Sequence, residues 1–138
     1  MSILVDTGFV YALFQPADPR HERAIAFSEA NSEPMLLPAV ILPELGFLFG
    51  RDNGYAGVIQ WLEQFRYLEA RMAPMKQEDL GRIYEIAEQY ADSRFDVVDC
   101  CIMAMAERLQ ITKIAAFDRR DFSIVVPSHT DYFEILPE

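Results

Sequence analysis

Four of the chain's acidic residues stand out by position: Asp6, Glu44, Asp99 and Asp118. Asp99 lies inside VVDCCIMAMA, which otherwise contains no polar side chain. Asp is a weak helix former away from a helix start, and a buried charge is costly unless it meets water, a partner or a metal. Glu44 sits among Val40, Ile41, Leu42, Pro43, Leu45, Phe47 and Leu48, and the same argument applies. Asp6 closes one apolar run and Asp118 closes a later one. Each acid also has a structural reading. Asp6 and Asp118 suit helix caps or turns. Glu44 suits the exposed face of a buried helix. Asp99 suits a helix start, where the dipole favours negative charge. Asp96, three residues earlier, reads as a plain cap.

An oxygen-only, acidic ligand set suits hard cations such as Mg²⁺ or Mn²⁺. Such ions can activate a water and neutralise the leaving oxygen of a phosphodiester. No other catalytic set competes. His21 and His129 have no Ser or Cys partner in context, and the glycines follow no phosphate-loop spacing. The net charge is −10, from 12 Lys and Arg against 22 Asp and Glu. General nucleic-acid binding is therefore disfavoured, unless cations held by carboxylates reverse the sign at one site. Arg119 and Arg120, beside Asp118, are candidate RNA contacts or plain surface cations.

These acids need elements to carry them. Ser2–Val5, Met35–Leu37, Tyr67–Met72, Lys113–Phe117 and Tyr132–Leu136 read as short strands. Helices are expected over Phe9–Phe14, from Asp18-Pro19 to about Glu29, and through Glu44 until Asn53-Gly54 ends the segment. Further helices are expected over Gly57–Phe65, Lys76–Tyr90 and Asp96–Leu109. The last is apolar nearly all round and should be buried. Short apolar strands alternating with helices predict an α/β fold, a central parallel sheet of about four to five strands with helices on both faces. In such sheets the ligand crevice lies beyond the carboxyl ends of the strands, where Asp6 and Asp118 fall.

The 138 residues suit one domain, 1–138, and a 51% apolar content supports a core without disulfides. Cys100 and Cys101 are adjacent, which suits neither a zinc site nor a bridge. Free thiols fit a reducing cytoplasm. The start, MSILVDTGFVYALF, has Asp6 within it and no basic leader, so neither a signal peptide nor a membrane span is expected.

The segments VDTGFVYALF, ILPELGFLF, FDVVDCCIMAMAERL and IAAFDRRDF resemble, in order and spacing, a PIN domain. More narrowly, they resemble the VapC-type toxins of toxin–antitoxin pairs. The resemblance implies a PIN-like three-layer sandwich and Mg²⁺- or Mn²⁺-dependent RNA hydrolysis. Carried over by motif, Asp6, Glu44, Asp99 and Asp118 are the catalytic and metal-binding acids. Asp121, in D-R-R-D-F, is a further metal ligand through water or a turn cap. The implied partners are an RNA substrate, a small cognate antitoxin and a second copy in a homodimer. The apolar Val40–Phe49 and Trp61–Phe65 segments are contact surfaces or core. The chain departs from the family at Ala116, where many members carry Thr or Ser, and at Asp96, where Gly is frequent.

The rival to an endoribonuclease is a PIN-fold binding or regulatory module with weakened catalysis. A response-regulator-like domain also uses acids at strand ends. It would place a lysine after a late strand, whereas Lys113 precedes its strand.

Overall fold

The computed structural model describes residues 1–138. Its strands are the short apolar runs: β1 (Ile3–Val5), β2 (Met35–Pro38), β3 (Arg71–Ala73), β4 (Lys113–Ala115) and β5 (Glu134–Leu136). They form one sheet in the order β3-β2-β1-β4-β5, with every pairing parallel. All three residues of β1 are buried, as a central strand covered on both faces requires. The expected α/β architecture is present, with five strands.

Six helices join them: α1 (Thr7–Phe14), α2 (His21–Ala30), α3 (Ile41–Phe65), α4 (Asp79–Gln89), α5 (Val97–Leu109) and α6 (Arg120–Ile124). The steps β1 to β2 and β2 to β3 run toward one edge through α1, α2 and α3. The steps β3 to β4 and β4 to β5 run toward the other edge through α4, α5 and α6. Right-handed crossovers therefore put the first three helices on one face and the last three on the other. Contacts follow this division: α1 touches α2 and α3, while α5 touches α4 and α6. The chain reverses direction between β1 and β4. That point is the topological switch, where α/β sheets open a crevice.

Helix α5 forms the centre of its layer. Asp96 caps it, accepting the Val98 N–H at 2.8 Å. Every residue from Cys100 to Glu107 is buried, and both cysteines are free thiols. The buried Asp79 carboxylate accepts both Arg108 donors, at 2.8 and 3.1 Å, which ties α4 to α5. Arg82 and Glu107 form a second tie, with Nε donating at 2.6 Å.

Asn53-Gly54 interrupts α3 as expected: Gly54 is non-helical, at φ 72° and ψ −179°, a backbone open to glycine, and it divides α3 into two helical limbs. Gly57–Phe65 falls in the second limb. Some expected boundaries shift. Helix α2 starts at His21 because Asp18 accepts the Arg20 N–H at 2.8 Å and holds Pro19 in a turn. Strand β3 begins at Arg71 rather than Tyr67, because 66–67 form a turn. Helix α6 was not foreseen. It has five residues, too few for periodicity to show.

Candidate active site

Asp6 leaves the end of β1 in an extended conformation and caps α1, accepting the Phe9 N–H at 2.8 Å. Its own N–H donates to Ala115 O at 3.0 Å, which pins it beside β4. Glu44 stands in the first turn of α3, and Asp99 in the first turn of α5. Asp118 lies three residues beyond β4 and is exposed. Asp121 opens α6 and is 8% exposed. All five line one cleft of about 500 Å³ at the carboxyl ends of β1 and β4, together with Thr7, Gly8, Leu48, Asp96 and three arginines. Elements from both helical layers thus deliver acids to the switch point.

The structure changes the relative standing of two acids. Asp121 had the weaker sequence signal. It is buried, accepts the Asp96 N–H at 3.3 Å and an Arg120 donor at 2.7 Å, and lies within hydrogen-bonding reach of Asp99. Asp118 had the stronger motif but sits in the open mouth, where the Arg120 N–H donates to it at 3.3 Å. Asp96 is the expected cap and also lines the cleft.

Burial first, and like charges after it, shift two carboxyls. Burial pushes Asp6 up to about 7, against the lowering effect of its Phe9 hydrogen bond, and the Asp118 and Glu44 charges add to the rise. Burial also pushes Asp99 up, to about 9, helped by the hydrogen bond with Asp121 and the charges of Asp6, Asp121 and Asp96. Asp99 is less buried than Asp6 yet shifts further, because another carboxyl meets it directly. Such shifts within a cleft mark a site that an opposite charge would relieve.

The donor set fits a hard divalent cation. The six acids offer oxygen only, and the buried Thr7 Oγ1 beside them has no hydrogen-bond partner. No three His, Cys, Asp or Glu side chains are already gathered into a cage. Mg²⁺ keeps several waters and needs only one or two carboxylates directly. Ala116 is fully buried and is not among the residues that line the cleft.

The arginines differ from expectation. Arg119 donates to Pro137 O at 3.0 Å and Ile135 O at 3.1 Å, so it fastens β5 rather than facing the cleft. Arg120 lines the cleft but is tied to Asp121 and to Ser93 O, the latter at 2.6 Å. Arg20 and Arg94 also line the cleft and escaped the sequence reading. Neither lies in a motif or a periodic pattern. Both histidines are structural, each bonded to a backbone carbonyl at 2.7 Å. Of the apolar contact candidates, Phe49 and Trp61 are core, while Phe47 and Leu62 are exposed.

Comparison with known proteins agrees with this layout. The PIN domain family model matches residues 3–126. Ribonuclease VapC26 of Mycobacterium tuberculosis is 22% identical over 135 residues, covering 98% of this chain and all of that protein. The crystal structure of VapC20 from the same organism, described as a sarcin-ricin loop cleaving toxin, superposes with a TM-score of 0.80 at 21% identity. It covers 93% of this chain and 98% of that one. VapBC2 from Rickettsia felis, bound to a promoter DNA fragment, gives 0.70 at 12% identity over 98% and 97% of the two chains. With nine-tenths of its length matched by the family model and the fold in agreement, the chain belongs to the PIN domain family.

Proposed function

We propose that this chain is a divalent-metal-dependent endoribonuclease. The observation that carries the reading is the convergence of six carboxylates at the β1/β4 switch point, two of them held well above their ordinary pKa. Membership of the PIN family supports it, as do relatives named as a ribonuclease and an RNA-loop-cleaving toxin. Asp6 and Asp99 would hold Mg²⁺ or Mn²⁺, with Asp118, Glu44 and Asp121 completing the shell directly or through water. The ion would supply a water of lowered pKa and charge neutralisation at the phosphate. The chain's own residues do the rest. The Phe9 N–H fixes the Asp6 carboxyl, and the Asp96 N–H and Arg120 fix Asp121 against Asp99. Glu44, facing the cleft from α3, accepts the proton of the attacking water.

The same reading makes the protein the toxin of a toxin–antitoxin pair, with a small antitoxin as partner, a homodimer as assembly and the cytoplasm as its place. Residues 1–138 act as one PIN domain. No helix is long and apolar enough to cross a membrane.

Purified protein should cut single-stranded RNA in Mn²⁺, and Asp99→Asn should cut at least ~100-fold more slowly while folding normally. Induced expression should arrest growth, and Asp6→Asn should relieve the arrest. A pure, folded Asp99→Asn that cuts as fast as wild type would remove the basis of the assignment.

A further inference from the structure

An acidic protein must still attract a polyanion to an acidic cleft, and the cations at its rim show how. Three arginines line it: Arg20, Arg94 and Arg120. Arg120 is committed to Asp121 and Ser93 O, and Arg20 to Asp18 at 3.3 Å. The Arg94 guanidinium has no hydrogen bond or ion pair, although six carboxylates share the cleft. Its backbone is left-handed, at φ 53° and ψ 54°, where it terminates the 3-10 turn of residues 91–93. Glycine is the usual residue at such a position, because a Cβ is disfavoured there. The chain places an exposed arginine there instead, on the α5 side of the crevice.

The opposite wall carries a second cationic feature. The guanidinium carbons of Arg20 and Arg23 lie 5.2 and 5.1 Å from the centroid of one ring, Phe117, next in sequence to Asp118. Phe117 is itself fixed by stacking on Phe9, with centroids 5.6 Å apart and rings at 22°. Cation–aromatic contact steadies both long side chains beside Asp118, and it leaves the Arg23 donors free while Arg20 is also paired with Asp18. Arg23 is exposed and, like Arg94, has no ion pair.

We propose that these groups form a two-sided phosphate clamp. Arg94 grips the RNA backbone on one side of the scissile bond, and the Arg20–Arg23 ledge over Phe117 grips it on the other. The sheet's crossovers place the two on opposite helical layers, so a strand seated between them crosses the carboxylates. The clamp rests on the ribonuclease reading for its substrate, and it makes binding separable from cleavage. Arg94 and Arg23 touch no carboxylate of the site, so their loss should weaken binding and leave the chemical step alone.

The test uses the whole protein in Mn²⁺ and a short fluorescein-labelled RNA with 2′-O-methyl and phosphorothioate groups that resist cleavage. Fluorescence anisotropy gives Kd across a salt series for wild type, Arg94→Gly, Arg23→Gln and the double variant. Glycine accepts the left-handed backbone, so Arg94→Gly should melt no lower than wild type. Each single change should raise Kd roughly 5–10-fold and reduce the slope of log K against log salt by about 0.7, the loss of one phosphate contact on a single strand. With cleavable RNA, KM should rise while kcat holds. If both variants match wild type in Kd and slope, or if wild type does not bind the RNA, the clamp is wrong. If binding falls as expected but wild type leaves cleavable RNA intact, the clamp stands and the ribonuclease reading falls.

Discussion

Asp99→Asn should abolish cleavage and at the same time stabilise the metal-free protein. In the fold the Asp99 carboxyl is raised from an ordinary 3.8 to about 9, by burial first and by Asp121 and neighbouring charges after it. A raised carboxyl binds more protons folded than unfolded. Its contribution is therefore most favourable below about pH 4 and is lost as pH climbs toward 9. At pH 7 the unfolded carboxyl is ionised and the folded one is neutral. The interval from the ordinary 3.8 to pH 7, about three units, sets a ceiling of ~4 kcal/mol at that pH, at about 1.4 kcal/mol per unit. Asp99 is only partly buried in an open cleft, so water screens much of this, and ~1–2 kcal/mol is the expected cost. Asparagine is neutral in both states and escapes it. Thermal melts in EDTA at pH 5, 7 and 9 should show the variant melting about 5 °C above wild type at pH 7. The gap should widen toward pH 9 and shrink toward pH 5. Saturating Mn²⁺ should raise the wild-type melting temperature and leave the variant behind, since only a bound ion stabilises by mass action. A variant that melts below wild type in EDTA at pH 7, or a gap indifferent to pH, would refute the reasoning.

Other substitutions separate structure from function. Asp6→Asn keeps a capping oxygen for the Phe9 N–H and removes a carboxyl raised by burial, so it should melt no lower than metal-free wild type at pH 7 while lacking activity, whereas Asp6→Ala should be ~1 kcal/mol less stable than Asp6→Asn in urea unfolding. Thr7→Val replaces an unpartnered buried hydroxyl with a methyl, so it should not lower stability but should weaken Mn²⁺ binding in calorimetry. Arg108→Ala leaves the buried Asp79 carboxylate without its partner and should cost ~3 kcal/mol in urea unfolding, with unchanged cleavage per folded molecule.

The sheet, and the cleft into which it gathers these acids, were legible in the sequence for identifiable reasons. Asp99 was conspicuous because the residues that follow it, Cys100 to Ala106, are all buried and offer a carboxylate no partner of their own. Asp6 and Asp118 were placed by the rule that strand ends face the crevice, and both line it. What the sequence hid depended on contacts rather than on patterns. Asp121 looks like a turn residue until α6 folds it against Asp99. Arg119 looks like a rim cation until β5 takes its donors. Arg94 gives no cue at all, because a left-handed conformation at a non-glycine residue follows from the surrounding turn. The break in α3 was visible at Asn53-Gly54, because glycine takes the non-helical backbone that separates the two limbs.

The β1/β4 carboxylate cleft should cut RNA only when it holds a divalent cation. The direct measurement is gel-resolved cleavage of single-stranded RNA by EDTA-stripped protein, before and after Mn²⁺ is restored, beside Asp6→Asn treated identically. Wild type should show no cleavage in EDTA and full recovery with Mn²⁺, and the variant should show none under either condition. Cleavage that persists in EDTA, or that Asp6→Asn shares after Mn²⁺ is added, would contradict it.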